Sequence, residues 1–438
     1  MSPRASRLAA VALLLLLSSS APVSAASTLY TLPSGLRVVL VPRPGAATVG
    51  VALGLPVGEG HEPEGRAGLA HLAEHLVAQL PEPLAALTEV GAIEVNAFTG
   101  VESTLYVAEV PRAAWRTAVW AEARRLATAP LAATPEALAV EQRVLRRELE
   151  YRDAEDWLNV ALLAALYPAD HPYHRSPDTQ ADVEALTAPE VQGFLQRTYV
   201  PDHAVLVVVG DVDPAELQAE VTRVLGPLPA TGAPRPPLVG YQVPPECVAI
   251  QRPTLGSSTA LSLVWRYPPR TPRVRLALME GLLERQVIAP LAAEGWLAGQ
   301  GVGHRMAEEG ALVWLQVLSP ERGRQADLRE AVRARLDALA PLDRGAFEEV
   351  RVMAAARLRA RAEAPVPAAM AWAEAALVRA PDPDAVLAGV LAAGPELLVG
   401  DAVAVAGAAP TLWVSLLAEP PGRLAWWGDV DHVACPKF

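Results

Sequence analysis

Several features that mark other protein classes are missing from this chain of 438 residues. It contains no phosphate-binding glycine loop, no Gly-x-Ser-x-Gly motif and no nucleotide-binding pattern. Beyond the N-terminal segment, no uninterrupted apolar run reaches the roughly 20 residues that a bilayer span requires. The formal charge of -12 disfavours binding to a phosphate backbone or to an anionic membrane.

Aromatic side chains are also scarce, at 5% of the residues, although hydrophobic residues make up 52%. The apolar content is therefore mostly alanine, leucine and valine, and Ala- and Leu-rich stretches favour helix. A chain of this length can bury a large core but exceeds one compact unit, so two domains are expected.

The first 26 residues have the pattern of a secretory signal peptide. Arg4 and Arg7 give a positive start, Leu8 to Leu17 are apolar, and residues 24–26 are small enough for cleavage. A membrane anchor is the alternative, but the apolar stretch is short for a span. We therefore expect an exported chain, periplasmic or extracellular. Export would permit a disulfide between the two cysteines, Cys247 and Cys435, but spacing alone leaves bridged and free thiols equally open.

Proline and glycine are dense from Gly226 to Pro245, a pattern typical of an interdomain linker. On this interpretation residues 27–228 form one domain, 229–245 link and 246–438 form a second. Strand-like and helix-like segments alternate in both halves, so each half is expected to be α+β. Their order recurs weakly, which leaves an internal duplication open.

Periodicity predicts the individual elements. Strands are expected at residues 36–41, 49–53, 95–110, 204–209, 260–265 and 313–317. Helices are expected at residues 67–80, 111–126, 135–158, 189–198, 274–288, 325–338 and 346–363.

The strongest chemical signal is the segment His71-Leu72-Ala73-Glu74-His75. Residues four apart lie on one face of a helix, so the two imidazoles can chelate one ion. Catalytic zinc takes three protein ligands and one water, and a nearby carboxylate can accept the proton of that water. The segment offers two ligands and the carboxylate. The alternative is a helix with two incidentally spaced histidines.

A third ligand could come from Glu141 or Glu148, which are seven apart and share one helical face. One of them could bind the metal while the other orients a histidine. The alternative is a solvated charged face, because Arg143, Arg146 and Arg147 surround them. Spacing alone does not decide between these interpretations.

Together these residues resemble the M16 peptidases, the group of insulinase, pitrilysin and mitochondrial processing peptidase. The motif H-x-x-E-H, followed about 70 residues later by E-x6-E, is the inverse of the common zincin motif. Residues 32–40 resemble the opening strand of the family, residues 65–70 lead into the motif as in family members, and residues 96–99 are similar to the strand beside the metal. The match spans roughly residues 28–228.

The resemblance implies that His71, His75 and Glu148 bind one zinc ion per chain. It further implies that Glu74 is the general base and that Glu141 supports the site. The fold it implies has two homologous α+β domains, each a mainly antiparallel or mixed sheet covered on one side by helices. The two domains would face each other across a clam-like chamber.

In the family, the strand that corresponds to Asn96, Ala97, Phe98 and Thr99 is a sheet edge that pairs with the substrate backbone. Such β-augmentation gives affinity with little side-chain selectivity. The expected activity is therefore zinc-dependent endopeptidase cleavage of peptides or unfolded segments.

One departure concerns an Arg and a Tyr that family members carry seven apart in the second half. Leu291 and Ala298 occupy those places here. Because half-size family members work as dimers, a second M16-like subunit is expected to supply the pair. The alternatives are a non-catalytic M16-like subunit that binds peptides or scaffolds a partner, and an α+β domain with an accidental motif.

Overall fold

The computed structural model describes residues 26–150, 171, 173, 180–237, 248–254, 259–267, 271–307, 310–319, 325–339, 342–398, 412–418 and 431–433. No helix within these ranges is long and apolar enough to cross a membrane. Residues 1–25, Cys247 and Cys435 lie outside them, as do residues 238–245 of the expected linker. The signal peptide and the disulfide therefore stay predictions.

The first half of the chain builds a six-stranded mixed sheet. Its strands are β1 Thr28–Thr31, β2 Arg37–Pro42, β3 Thr48–Leu55, β4 Glu94–Thr99, β5 Thr104–Pro111 and β6 Val205–Gly210. They lie in the spatial order β1-β2-β6-β3-β5-β4. β2 and β6 are parallel, and the other neighbours are antiparallel. β4 is consequently an edge strand, as expected.

The second half repeats this arrangement. Its strands are β7 Val248–Thr254, β8 Thr259–Tyr267, β9 Gly299–Ala307, β10 Gly310–Ser319, β11 Leu412–Ala418 and β12 Asp431–Val433. The order is β12-β7-β11-β8-β10-β9, with only β7 and β11 parallel. The two sheets therefore share one topology from β2 to β6 and from β7 to β11, which confirms the α+β fold with two homologous domains.

Seven α-helices of the described residues belong to the first half. They are α1 Leu69–Ala78, α2 Pro81–Glu89, α3 Trp115–Thr128, α4 Pro135–Glu150, α5 Gln180–Ala185, α6 Ala188–Thr198 and α7 Pro214–Leu225. Proline stands at the first helical position of α2, α4 and α7, where a missing backbone N–H removes no helical hydrogen bond.

Six α-helices of the described residues belong to the second half. They are α8 Arg273–Leu283, α9 Ala289–Ala293, α10 Gln325–Asp337, α11 Arg344–Glu363, α12 Pro365–Leu377 and α13 Pro383–Ala392. A π-helical turn, Glu284–Ile288, joins α8 to α9. Here the structure refines the single helix expected at 274–288.

The central strand β6 shows how the first sheet is buried. All six of its residues are buried, as expected for a strand that is covered on both faces. Leu206 and Val208 belong to the core beneath α1 and its neighbouring helices. Val205, Val207 and Val209 belong to a second core on the opposite face.

Helix α12 supplies that second core, which corrects the expectation of helices on one side only. Although it belongs to the second half of the chain, it packs along β3 and β6. Small residues of β3 face it, and a Cβ atom added to Gly50 would overlap the carbonyl group of Pro365. Gly54 likewise leaves room for Leu377. The two halves thus share a core.

Candidate metal centre

Helix α1 carries the two histidines on the face that points away from the core. Its N-terminus follows Gly68, whose φ of 82° suits glycine. Leu72 and Leu76, four apart, are at most 3% exposed and pack on the sheet. His71 and His75, also four apart, lie together on the adjacent face of the helix, and their ring centroids lie 4.9 Å apart. The apolar repeat therefore fixes the rotation of α1 and aims both imidazoles at one point.

Helix α4 brings Glu148 to that point. Its Oε2 lies 3.4 Å from Nε2 of His75 and 3.7 Å from Nε2 of His71. The three candidate ligand atoms lie within 4.8 Å of one another, and no other group of three meets this condition in the described part of the chain. Tetrahedral zinc with bonds of about 2.0–2.1 Å separates its ligands by roughly 3.3–3.5 Å. The donor set and spacing fit a zinc ion.

Glu141 lies seven residues before Glu148 on the same face of α4, and it contacts the other ring nitrogen of His75. Its Oε2 lies 3.3 Å from Nδ1, and both side chains are about nine-tenths buried, at 10% and 12% exposure. A carboxylate there accepts a hydrogen bond from Nδ1–H, which leaves the Nε2 lone pair for a metal. The geometry thus separates the two acids that spacing left ambiguous.

Glu74 lies beside the group, on the buried side of α1. It is 7% exposed, and its Oε2 accepts a hydrogen bond of 3.0 Å from the Thr99 hydroxyl. Burial raises the pKa of Glu74, and the negative charge of Glu148 acts in the same direction. His75, the Thr99 hydroxyl and Arg125 oppose this rise. A carboxylate with a raised pKa is better suited to accept and return a proton near neutral pH.

The edge strand β4 forms the wall opposite α1. A cavity of about 400 Å³ lies between them, lined by the three candidate ligands, Glu74 and residues 95–97. Asn96 and Phe98 are exposed, and Phe98 has 40% of its surface accessible. Ala97 and Thr99 are half-buried and point inward. The four residues predicted to contact substrate therefore line or flank the candidate site.

Two buried charges that sequence reasoning missed hold α1 at its ends. The Glu62 carboxylate accepts a hydrogen bond of 2.8 Å from the backbone N–H of Ala70 in the first turn. At the other end Arg125 donates to the carbonyls of Val77 and Ala78, at 2.8 and 3.1 Å. Negative charge at the N-terminus and positive charge at the C-terminus both complement the helix dipole.

Arg125 is itself held in place by buried partners. It is 2% exposed and pairs at 3.0 Å with Glu122, which is fully buried. Its guanidinium lies 5.0 Å from the ring centroid of Tyr106, whose hydroxyl contacts that of Tyr199 at 2.9 Å. The only sequence signal for this role is an acid and an arginine three apart on α3.

The structure also describes Leu291 and Ala298, the residues expected at the places of the family's Arg and Tyr. Leu291 is fully buried in the core of the second half. Ala298 is exposed, and its backbone N–H donates to the carbonyl of Leu318 at 2.7 Å. Neither side chain can clamp a substrate by hydrogen bonding.

Two histidines and a glutamate around one point, with a buried carboxylate next to them, are the constellation of a metal-dependent hydrolase. The comparisons agree with this class. Residues 37–171 match the family model described as insulinase (peptidase family M16), and residues 185–302 match the one described as peptidase M16 inactive domain. The chain belongs to peptidase family M16.

Among curated proteins, an uncharacterized zinc protease of Mycobacterium leprae is 34% identical over 204 residues, which is 45% of each chain. The alignment thus spans less than half of that relative. Among solved structures, a protease from Helicobacter pylori has a TM-score of 0.74 at 18% identity, covering 90% of this chain and all of that one. The first half of the periplasmic protease PqqL from Escherichia coli has a TM-score of 0.68 at 17% identity, with 90% and 92% covered.

Proposed function

We propose that this chain is an exported zinc-dependent endopeptidase that hydrolyses peptides or unfolded segments. The observation that carries the proposal is the convergence of His71, His75 and Glu148, with Nε2 of each ring within 3.7 Å of one carboxylate oxygen. The names of the curated relatives support zinc as the metal. In domain terms the proposal assigns residues 27–228 to the catalytic domain, 229–245 to a linker and 246–438 to the second domain.

Each residue of the site has a distinct role. When bound, zinc lowers the pKa of a water toward about 7 and polarises the scissile carbonyl. Glu74 accepts the proton of that water and returns it to the leaving amine, which its burial beside the cavity favours. Glu141 keeps His75 in the tautomer that presents Nε2. These roles account for the arrangement of α1 and α4.

The substrate is proposed to lie along β4 as an added strand. β4 is the edge of its sheet, so its outward backbone groups can pair with an extended peptide. A folded protein could not present such a strand, and this limits the substrate to short or unfolded chains. Asn96, Ala97, Phe98 and Thr99 are the contact residues of this proposal.

The decisive experiment is the isosteric replacement Glu74→Gln. We expect zinc content to stay at about one per chain and cleavage of an unfolded peptide to fall by at least about 100-fold, because the base is lost while the ligands stay. The matched control is Glu89→Gln on the exposed end of α2, which should retain full activity. Undiminished cleavage by Glu74→Gln would rule out the assignment.

A second candidate function is a non-catalytic M16-like subunit of a heterodimer, favoured by Leu291 and Ala298 in the places of the Arg and Tyr. We propose instead that a partner M16-like subunit supplies the missing Arg and Tyr. Purified chain should then cleave peptides slowly and accelerate when the partner is added. Full activity of the chain on its own would contradict the need for a partner.

Export is supported by the first 26 residues and by the periplasmic description of PqqL, whose first half shares the fold. Sequencing the N-terminus of the mature protein tests it: Edman degradation should begin at about residue 27. An intact Met1 on a cytoplasmic protein would refute export without affecting the metal site.

A further inference from the structure

The duplicated topology places α8, β9 and α11 of the second half where α1, β4 and α4 stand in the first. Helix α1 follows β3, contacts the edge strand β4 and packs against α4. Helix α8 likewise follows β8, contacts the edge strand β9 and packs against α11. The equivalent of the metal centre therefore lies where α8, β9 and α11 meet.

The equivalence is exact in sequence spacing. Each candidate ligand has a counterpart 209 residues further along the chain, from 71 to 280, from 75 to 284 and from 148 to 357. The counterparts are Glu280 and Glu284, again four apart and spanning the end of α8, and Arg357 of α11.

These three side chains meet as their counterparts do. Arg357 Nη1 lies 2.9 Å from Oε2 of Glu284, and its Nη2 lies 3.8 Å from Oε2 of Glu280. In the first half, Glu148 lies 3.4 Å from His75 and 3.7 Å from His71. The two three-point arrangements thus have the same pattern of contacts.

The charges are inverted between the two sites. In the first half, two imidazoles and a carboxylate leave room for a cation. In the second, two carboxylates converge on the guanidinium of Arg357, which is itself the cation. Burial alone would raise the pKa of Glu280, but the hydrogen bond from His304 and the charges of His304, Arg361 and Arg357 hold it below its ordinary value.

Further contacts tie this cluster to the edge strand. Arg357 Nη2 donates to the carbonyl of Val302 in β9 at 2.7 Å. His304, also in β9, donates from Nδ1 to Oε1 of Glu280 at 2.7 Å, much as Thr99 of β4 contacts Glu74 in the first half. Arg357 therefore joins the two helices, as a bound metal would join α1 and α4, and it also contacts the edge strand.

We infer that Glu280, Glu284 and Arg357 are the duplicate of the metal centre, in which the Arg357 guanidinium stands permanently in the place of the ion. The inference rests on the proposed metal role of His71, His75 and Glu148. It explains why the second half needs no metal to hold its helix pair and edge strand together, and why metal chemistry is confined to the first half.

The test restores the ligand set. The triple variant E280H/E284H/R357E places the three candidate ligand types at the duplicate positions. We expect zinc content, measured by atomic emission after dialysis, to rise from about one to about two per chain. In an H71A/H75A background, the same triple variant should retain about one zinc. The control E348H/R351E makes the same exchanges at the partly buried ion pair of Glu348 and Arg351 in α11 and should leave the zinc content unchanged.

The outcomes separate the two ideas. A wild-type chain with one zinc and a folded triple variant with no more than one overturns the duplicate site and leaves the proposed function intact. A wild-type chain without zinc overturns the proposed function, and the duplicate falls with it.

The single variant R357Q serves if the triple variant does not fold. It removes the guanidinium that Glu280 and Glu284 share, so the melting temperature should fall and divalent zinc should raise it again by binding the folded state. R351Q, on the same helix, should show no such zinc-dependent recovery. Equal zinc responses of R357Q and R351Q would overturn the inference.

Discussion

The buried pair of Arg125 and Glu122 offers the sharpest test of how the site is supported. Replacing Arg125 by Met removes the donor to the carbonyls of Val77 and Ala78 and leaves the fully buried Glu122 without its cation. Breaking a buried ion pair on one side costs about 3–5 kcal/mol, because an uncompensated charge stays in the interior. We therefore expect the Arg125→Met variant to lose a substantial part of the roughly 5–15 kcal/mol by which a typical domain is stable.

A double variant separates the free-energy cost of the stranded Glu122 charge from the cost of the lost carbonyl contacts. In R125M/E122L no charge is stranded, and the remaining loss comes from the two helix-end carbonyls, at about 1–3 kcal/mol. The double variant should therefore be more stable than the single one. This order of stabilities is the reverse of the usual expectation, in which two core substitutions destabilise a protein more than one does.

The neighbouring Arg124 is a matched control on the same helix. It pairs with Glu82 at 2.6 Å, but both side chains are well exposed, at 39% and 64%. Such a pair contributes at most about 1 kcal/mol, so R124M should be nearly neutral. Urea unfolding followed by tryptophan fluorescence measures all three variants. If R125M lies within about 1 kcal/mol of R124M, or if the double variant is no better than the single one, the role given to Arg125 is wrong.

Two further predictions follow from individual contacts. Glu141→Gln should weaken zinc affinity about 10–100-fold without removing a ligand, because it loses the carboxylate that fixes the His75 tautomer; competition with a chelator measures this, and unchanged affinity would contradict it. Gly50→Ala should lower the free energy of unfolding by about 1–3 kcal/mol, because the new methyl group overlaps the Pro365 carbonyl at the start of α12; thermal unfolding measures this, and a neutral result would mean that α12 packs less closely than the structure shows.

The sequence predicted the elements whose periodicity is strong. β2, β3, β6 and α1 all lie within two residues of their expected bounds, because each carries an uninterrupted apolar or helical pattern. The candidate ligand set was also found in the sequence, since its motif lies on α1 and its acids lie on α4. Spacing left open which acid approaches Nε2 of both histidines, and the packing of α4 against α1 places Glu148 there.

Elements without a clear local pattern were missed. β9 carries Gly299, Gly301 and Gly303, which have low strand propensity, and it forms because β10 pairs with it along its whole length. A Cβ on Gly303 would overlap the ring of Trp314, so this glycine allows that ring to lie over the strand. The prolines at the start of α12 suggest a loop, yet a proline at the first helical position removes no hydrogen bond.

Buried charges were beyond sequence reasoning for a different reason. Arg124 and Arg125 are adjacent on α3, and nothing local distinguishes the exposed arginine from the buried one. The difference arises where α3 meets the end of α1, a contact between segments 47 or 48 residues apart. Tertiary position, rather than residue type, gives Arg125 its role.

The position of α12 leads to a last prediction about the independence of the two halves. The faces of β2, β3 and β6 that α12 covers carry valine and alanine side chains that are at most 3% exposed: Val39, Val41, Ala52, Val205, Val207 and Val209. A fragment of residues 26–237 would lack α12 and expose this whole face, an apolar patch of the kind that soluble monomers avoid.

We therefore expect that fragment to be insoluble when it is expressed alone, even though it contains every proposed ligand. Co-expression with residues 246–438 should return it to the soluble fraction, because α12 can then cover the sheet from a separate chain. In the control, the co-expressed fragment carries Gly50→Ala, whose methyl group would overlap the position where α12 packs. Less of this fragment should then be found in the soluble fraction. A fragment that is soluble, monomeric and zinc-binding without α12 would show that the shared core is dispensable, and that the linker divides the chain into units that fold independently.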